Sequence, residues 1–233
     1  MAKNETAFIV GVGGGLSASL ARLFAGEGMK VVLGARDVGK LDALASEAGA
    51  GRFECDAVDG ASVDRFFADA GADAGPPDIV VFNPSYRTRG PLTELDPEEV
   101  RKAIEISCFA GFLVGQAAAK AMQKRGTGSI LFTGASASVK GYPLSAAFAM
   151  GKFGLRGLAQ SMARELAPKG IHVAHFVIDG GIRRGPDDTR AAAHGEDGML
   201  DPDAIARSYL DIHRQHRSAW SWEMELRPWV ENF

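Results

Sequence analysis

Residues 7–17 read AFIVGVGGGLS, an apolar run followed at once by a glycine-rich segment. The run predicts a buried strand, and the spacing of apolar residues at 16–25 predicts a helix directly after it. Glycines let a backbone turn tightly and approach a pyrophosphate, and a helix N-terminus offers unpaired amides with partial positive charge. The segment therefore predicts a dinucleotide-binding turn, with a merely flexible turn as the alternative.

The same alternation of apolar runs and helical periodicity continues along the chain. Further strands are predicted at residues 30–33, 52–55, 79–82, 130–133 and 172–178, and helices at 38–48, 97–124 and 147–167. A half-buried strand is predicted near 222–226, where apolar and charged residues alternate. This order predicts an α/β fold: a single-domain Rossmann-type doubly wound parallel sheet with helices on both faces, covering residues 1–233.

Residues 183–217 interrupt the alternation. Positions 183–200 are rich in glycine, proline and acidic residues and show no clear strand or helix period. Asp201-Pro202-Asp203 then predicts an N-cap, with proline at the first position of a helix that runs to about residue 217. We interpret 183–217 as a substrate-side loop and helix. The loop is either a mobile lid or a tolerated surface insertion.

Charge and cysteine content narrow the classes of function. A formal net charge of -3 gives no electrostatic case for a nucleic-acid partner. Cys55 and Cys108 are too few for a disulfide framework and match no metal-ligand spacing, so we expect reduced thiols and no metal site. No run resembles a signal peptide or approaches the roughly 20 apolar residues that span a bilayer. We therefore expect a cytoplasmic protein without a membrane partner.

The glycine-rich loop, the Ser/Ala-rich stretch at 135–147 and the segment Phe148-Ala149-Met150-Gly151-Lys152 follow one another along the chain. This order resembles the short-chain dehydrogenase/reductase family, whose signature is Tyr-x-x-x-Lys, and the resemblance covers most of the chain. It implies hydride transfer between a nicotinamide dinucleotide and a small-molecule substrate. It also implies a homodimer or homotetramer formed through the Ala-rich helices at 103–121 and 147–167.

The resemblance implies a set of cofactor-binding positions. Those that line the pyrophosphate are Gly11, Gly13, Gly14, Gly15 and Leu16. Those that contact the rest of the dinucleotide are Ala35, Arg36, Asp56, Ala57, Asn83, Lys152, Gly180 and Ile182. Ser17 replaces the last glycine of the family's loop, and we expect its hydroxyl to cap the helix and donate to a phosphate.

The end of the second strand distinguishes the two nicotinamide cofactors. An NAD site places a carboxylate there for the ribose 2'-hydroxyl, whereas a 2'-phosphate needs a guanidinium. Here Ala35 takes the usual acidic position and Arg36 follows it. We therefore favour NADP(H). NAD(H) is the alternative, if Arg36 is a solvated arginine paired with Asp37.

The resemblance also implies that three of four catalytic groups are altered. Phe148 stands in place of the tyrosine acid, and Ala135 in place of the serine that polarises the substrate carbonyl. Ser107 stands in place of an asparagine that organises a water relay, and only Lys152 is retained. Loss of the general acid alone forfeits roughly a hundred- to ten-thousand-fold in rate.

Other side chains are candidates to supply the proton. Ser136 is the preferred one, because a small shift of the strand end would bring its hydroxyl to the serine position. The alternatives are Tyr86, Tyr142, Ser145 and Asp179, the last because it follows a strand end and could keep a proton if desolvated. His175 lies within a predicted buried strand, and we interpret it as a core residue.

Two functions remain open from the sequence. The first is an oxidoreductase that reduces a small carbonyl or an activated double bond, with Ser136 or a water as proton source. The second is a non-catalytic NADP(H)-binding sensor or structural subunit. Both predict dinucleotide binding, and only the first predicts hydride transfer.

Overall fold

A seven-stranded parallel sheet forms the centre of the protein, with strand order β3-β2-β1-β4-β5-β6-β7. The computed structural model describes residues 5–185, 188–195 and 197–231. Residues 1–4 and 232–233 of the predicted 1–233 domain, and 186–187 and 196 of the 183–217 segment, lie outside the described residues. The strands are β1 Thr6–Val10, β2 Lys30–Ala35, β3 Gly51–Glu54, β4 Ile79–Phe82, β5 Gly128–Thr133, β6 Ile171–Ile178 and β7 Glu223–Leu226.

Helices cover both faces of this sheet, which confirms the predicted doubly wound Rossmann-type fold. They are α1 Leu16–Gly26, α2 Asp42–Ala48, α3 Gly60–Ala74, α4 Pro97–Ile104, α5 Ala110–Gln123, α6 Ala146–Leu166, α7 Ala191–His194 and α8 Pro202–His213. A π-helical turn, Glu105–Phe109, joins α4 to α5.

The two faces of the sheet carry separate hydrophobic cores, because successive strand residues point in opposite directions. In β1, Ile9 packs into the core beneath α1, α2 and α8, whereas Phe8 packs into the core beneath α3, α5 and α6. Both side chains are fully buried. Every residue of β4 and β6 is buried, as expected for central strands of a parallel sheet covered on both faces.

The structure departs from the sequence prediction at three elements. Helix α3 was not predicted, although Asp59 caps it by accepting hydrogen bonds from the amides of Ala61 and Ser62. Helix α8 ends at His213 and not near residue 217. The loop at 183–200 contains the short α7, and Ile182 pairs with Leu200 in a β-bridge.

The continuous helical stretch Pro97–Gln123 is, within the described residues, long and apolar enough to cross a membrane by length and composition. The same test is passed by core helices of soluble proteins, so it is weak evidence for a span. In this fold its α5 portion packs against β4, β5 and α6.

Gly134, directly after β5, lets the chain lie closer to His175 and Phe176 of β6 than any larger residue would allow. A Cβ built on Gly134 would lie 2.2 Å from His175 Nε2 and 2.7 Å from the carbonyl oxygen of Phe176. The backbone amide of Gly134 donates to that same carbonyl at 2.8 Å. The chain directly after β5 therefore continues alongside β6 at a position where the buried His175 ring leaves no room for a side chain.

We expect Gly134→Ala to destabilise the protein by about 1–3 kcal/mol, because backbone and a buried ring must both shift. The matched control is Gly71→Ala in α3, where a Cβ would meet no atom within 4 Å. That change should be neutral or stabilising by up to about 1 kcal/mol, since alanine is the better helix former. Urea unfolding of both variants measures the difference, and equal midpoints would contradict the packing argument.

Candidate dinucleotide-binding and active site

The carboxyl ends of six parallel strands open into one cavity of about 1240 Å³. This is the edge of an open α/β sheet at which ligands bind. All predicted cofactor positions line the cavity: Gly11, Gly13, Gly14, Gly15, Leu16, Ala35, Arg36, Asp56, Ala57, Asn83, Lys152, Gly180 and Ile182. The structure thus brings together residues from six separate strand ends.

The glycine turn after β1 has the shape that a pyrophosphate needs. Gly11 adopts φ +83°, and a Cβ on it would lie 2.6 Å from the Pro84 ring, so only glycine fits there. A Cβ on Gly13, Gly14 or Gly15 would meet no atom within 4 Å, which shows that this part of the turn faces open space. No side chain caps α1 and no acidic residue lies in its first turn, so its N-terminus suits an anion.

The Ser17 hydroxyl takes part in hydrogen bonds within the chain. Its hydroxyl donates to the carbonyl of Gly11 at 3.1 Å and accepts from the Asn83 amide group at 2.7 Å. A hydroxyl has one proton to donate, and here the carbonyl receives it. The expectation that Ser17 caps α1 is therefore wrong, since no side chain caps this helix. Instead, Asn83 and Ser17 tie the loop after β4 to the glycine turn.

The cation at the end of β2 is available to a ligand. Arg36 is exposed at the cavity, and within the described part of the chain its side chain forms no ion pair or hydrogen bond. Asp37 pairs with Lys40 at 3.2 Å, so the alternative pairing of Arg36 with Asp37 is not formed. Ala35 leaves the position of the ribose-binding carboxylate without an acid.

Lys152 is a buried cation tied to the end of β5. Its Nζ donates to the carbonyl of Thr133 at 2.8 Å, and only 2% of the residue is exposed. Burial disfavours the ammonium form and lowers the pKa of Lys152 to about 8. The amine nevertheless lines the cavity, where it can donate to a ligand hydroxyl.

Phe148 and Ala135 also line the cavity, one helical turn from Lys152 and at the end of β5 respectively. Two cations flank the Phe148 ring: Arg87 Cζ lies 5.0 Å and Lys152 Nζ 5.9 Å from its centroid. Neither an aromatic ring nor a methyl group has a proton to transfer, so these positions supply no acid.

Ser136 and Ser107 do not line the cavity. Ser136 is half-buried and begins the 3-10 turn Ser136–Ser138, which carries the chain away from the end of β5. Ser107 is fully buried in the π-helical turn, where its hydroxyl accepts from the amide of Tyr86 at 3.2 Å. Of the two serines, neither side chain is among those that line the cavity, although Ala135, next to Ser136, is.

Of the alternative donors, Tyr86 reaches the cavity but its hydroxyl is already hydrogen-bonded to Glu99. Tyr142, Ser145 and Asp179 are not among the lining residues, and the Asp179 carboxylate lies 3.9 Å from Lys140 Nζ.

His175 belongs to a buried network behind Lys152. Its Nδ1 lies 3.1 Å from Glu223, which also receives two hydrogen bonds from Arg156. Burial lowers the pKa of His175 to about 4 although Glu223 acts in the opposite direction, so the ring is neutral at pH 7. The interpretation of His175 as a core residue agrees with this geometry.

The structure adds basic residues that sequence reasoning did not select. Arg87 and Lys102 come from the segment between β4 and the π-helical turn, and Arg183, Arg184 and Arg190 come after β6. The sequence signal was the pair Arg87 and Arg89 in a polar loop after a strand, which by itself resembles any solvated loop. Conversely, Arg207 of α8 pairs with Glu27, and His213 bonds to Ser129 at 2.8 Å, both away from this cavity.

Comparison with known proteins gives the same fold and the same family that the sequence resembles. Residues 5–183 match a family model described as short chain dehydrogenase. The chain is similar to the 3-oxoacyl-(acyl-carrier-protein) reductase MabA of Mycobacterium avium, with 30% identity over 179 residues that cover 77% of this chain and 68% of that protein.

Two solved structures show the similarity over nearly the whole chain. A short-chain dehydrogenase from Rhodopseudomonas palustris shares 39% identity and a TM-score of 0.84, covering 97% of this chain and 100% of the other. A metagenomic short-chain oxidoreductase in complex with NADP shares 27% identity and a TM-score of 0.84, covering 98% of this chain and 99% of the other.

The burial of Lys152 predicts a pH-dependent contribution to stability. Its pKa is about 8 in the folded chain and about 10.4 when unfolded, so between these values the unfolded chain binds more protons. Stability contributed by this group therefore rises with pH across that window. We expect the free energy of unfolding of the native protein to rise, relative to that of Lys152→Met, by about 2 kcal/mol between pH 7 and 10. Urea unfolding at both pH values measures it, and a constant difference would show that Lys152 titrates normally.

Proposed function

Because the chain belongs to the short-chain dehydrogenase family, we propose that it is an NADP(H)-dependent oxidoreductase with a non-standard active site. The family consists of oxidoreductases that bind NAD(P) and act on small molecules. The proposal for this chain is finer: a small carbonyl or an activated double bond as substrate, NADP(H) preferred over NAD(H), and solvent in place of the tyrosine acid.

One observation carries the proposal. A single cavity joins the open glycine turn, the unpaired Arg36 and the buried amine of Lys152. The first suits a pyrophosphate, the second a 2'-phosphate, and the third a ribose hydroxyl. Gly180 and Ile182 line the same cavity after β6, which supports their assignment as carboxamide contacts. Asp56 also lines it; one of its carboxylate oxygens accepts from the amide of Val58 at 3.3 Å, and the other is assigned to the adenine.

The catalytic positions determine which substrates suit the site. Phe148, Ala135 and Ser107 stand in place of the family's tyrosine, serine and asparagine, and Lys152 is retained. A saturated carbonyl needs an acid as the hydride adds, because the alkoxide that forms is strongly basic. A conjugated carbonyl spreads that charge over an enolate, which solvent protonates. The altered positions therefore favour an activated double bond over a simple ketone.

The chemistry divides between the chain and its ligands. The nicotinamide, when bound, supplies the hydride. Lys152 holds the ribose and places positive charge beside the developing enolate, an electrostatic contribution that a low-dielectric site strengthens. Phe148 shapes the apolar wall of the cavity, and water takes over the proton transfer that Ser136, outside the lining, does not perform.

Residues 183–217 form the substrate side of the site in this proposal. Arg183, Arg184 and Arg190 line the cavity, and the β-bridge between Ile182 and Leu200 anchors both ends of the loop. This supports a functional loop over a tolerated insertion, whereas α8 serves mainly to pack against α1.

A homodimer or homotetramer completes the proposal. Phe109, Phe112, Met150 and Phe153 are large apolar side chains that are 41% to 54% exposed on the π-helical turn, α5 and α6. Exposed apolar side chains grouped in this way mark interaction surfaces, and these helices are the pair through which the sequence predicts association.

The alternative is an NADP(H)-binding protein without turnover. It is favoured by the same facts that restrict the substrate, since Phe148 and Ala135 supply no proton and Ser136 lies outside the cavity. Binding measurements cannot separate the two functions, but NADPH oxidation can.

We expect the protein to bind NADPH at least about tenfold more tightly than NADH, because Arg36 forms charge-assisted hydrogen bonds with the 2'-phosphate. Arg36→Gln should remove this preference and leave NADH binding unchanged. Nicotinamide fluorescence titration of both proteins measures it. Arg52, which pairs with Asp42 at 2.7 Å and does not line the cavity, gives the control Arg52→Gln. Equal affinities for NADPH and NADH in the native protein would contradict the preference.

Turnover tests the reaction itself. With NADPH in excess, we expect the protein to reduce 2-cyclohexen-1-one to cyclohexanone and to leave cyclohexanone unreduced. The double variant Ala135→Ser, Phe148→Tyr should raise the rate with cyclohexanone by about a hundredfold or more, because it restores a general acid beside Lys152. Ser136→Ala should leave enone reduction unchanged. NADPH binding without oxidation by either substrate would instead support the non-catalytic alternative.

A further inference from the structure

The lining of the cavity carries more basic than acidic side chains, and some of the basic ones lie on the substrate side of the site. Although the chain has a net charge of -3, eight basic and three acidic side chains line the described part of the cavity. The basic ones are Arg36, Lys40, Arg87, Lys102, Lys152, Arg183, Arg184 and Arg190, and the acidic ones are Asp37, Asp56 and Glu105. Such a cavity concentrates anions.

Strand order separates these cations into two groups. Arg36 and Lys40 follow β2, which lies on one side of β1 and its glycine turn. Arg87 follows β4, and the arginines at 183, 184 and 190 follow β6, both on the other side of β1. A 2'-phosphate bound at Arg36 is therefore out of reach of Arg87, which lies instead beside Phe148 and the catalytic position.

Arg87 combines the lack of a counter-charge among the described residues with a fixed place over Phe148, whereas Arg184, which also forms no side-chain ion pair there, is exposed. Lys102 pairs with Glu99 at 3.5 Å, Arg183 with Asp201 at 2.7 Å, and Arg190 with Asp188 at 2.6 Å. In contrast, the Arg87 guanidinium forms no ion pair or hydrogen bond with any described residue, including Glu105 across the cavity.

The surroundings of Arg87 prepare it for an anion. Partial burial, with a smaller contribution from Arg89, lowers the pKa of Arg87 from its usual value. Its guanidinium lies over the face of Phe148, 5.0 Å from the ring centroid. An arginine held against an aromatic face keeps its N–H groups free at the edge, where they can donate in parallel to two oxygens of one ligand.

We propose that Arg87, supported by the Phe148 ring, binds an oxyanion group of the substrate, so that the substrate is a small enone or carbonyl compound that carries a carboxylate or a phosphate. This inference rests on the proposed function for the reacting half of the substrate. It also gives Phe148 a positive role: the ring that replaces the tyrosine is the platform on which the guanidinium is oriented.

Calorimetry with stable probes tests the subsite without turnover. The probes are benzoate, phenyl phosphate and the neutral benzamide, each titrated into the protein saturated with NADP+ and into the protein alone. We expect one or both oxyanions to bind at least about tenfold more tightly than benzamide, as a charge-assisted pair of hydrogen bonds implies. The tighter of the two identifies the anionic group.

Two arginine variants isolate the effect of Arg87. Arg87→Gln should weaken oxyanion binding about tenfold or more while benzamide and NADP+ binding stay unchanged. Arg89→Gln removes the same charge from the same loop at a residue that does not line the cavity, and should change oxyanion binding by less than about threefold. Thermal melts of both variants establish that they are folded.

The outcomes separate the two proposals. Equal binding of benzoate, phenyl phosphate and benzamide, or equal losses in the Arg87 and Arg89 variants, would overturn the oxyanion subsite. Failure of NADP+ to bind would instead overturn the proposed function, and titration of the protein alone would still report whether Arg87 binds an oxyanion.

Discussion

The candidate site depends on one buried cation held at the end of a parallel strand. The ammonium group of Lys152 donates to the carbonyl of Thr133 at 2.8 Å, which ties α6 to β5 at the carboxyl edge of the sheet. A buried charge needs such a partner, because desolvation without one costs several kcal/mol. Phe148 lies one turn before Lys152 on α6, and both side chains line the cavity. The aromatic ring therefore faces the cavity whether or not it carries a hydroxyl.

Phe148, which stands at the position of the family's tyrosine, removes an acid from the cavity and also changes the electrostatics there. In place of an acid, the site has a ring flanked by Arg87 and Lys152 at 5.0 and 5.9 Å. Cations interact favourably with an aromatic face, and they interact more favourably still with an anion that reaches the same space. In the proposed function, this one ring connects the altered proton transfer, the preference for substrates that form stabilised anions, and the proposed oxyanion subsite.

The glycine turn and the loop after β4 form a second interdependent unit. Asn83 donates to Ser17, and Ser17 donates to the carbonyl of Gly11, which also lies against Pro84. The substitutions that make these two segments differ from the family's usual motifs are therefore compensated by contacts with each other. The backbone of the turn keeps its opening toward the cavity, and the residues that would hold a pyrophosphate remain glycines.

The amino-acid sequence by itself determined the fold and the set of residues, predicted to bind a dinucleotide, that line the cavity. Both depend on local order, namely apolar runs that alternate with helical periodicity and glycines placed between the first strand and helix, and local order is visible along the chain. Helix α3 was missed because its apolar face is short and interrupted by aspartates and glycines. Only the tertiary structure decided that Ser17 and Ser107 are used internally, that Ser136 lies outside the cavity, and that Arg87 reaches Phe148. These outcomes depend on the direction in which individual side chains point. Some of them join segments about 60 residues apart in the sequence, so a small rotation of one strand end decides which side chain a hydroxyl or guanidinium reaches.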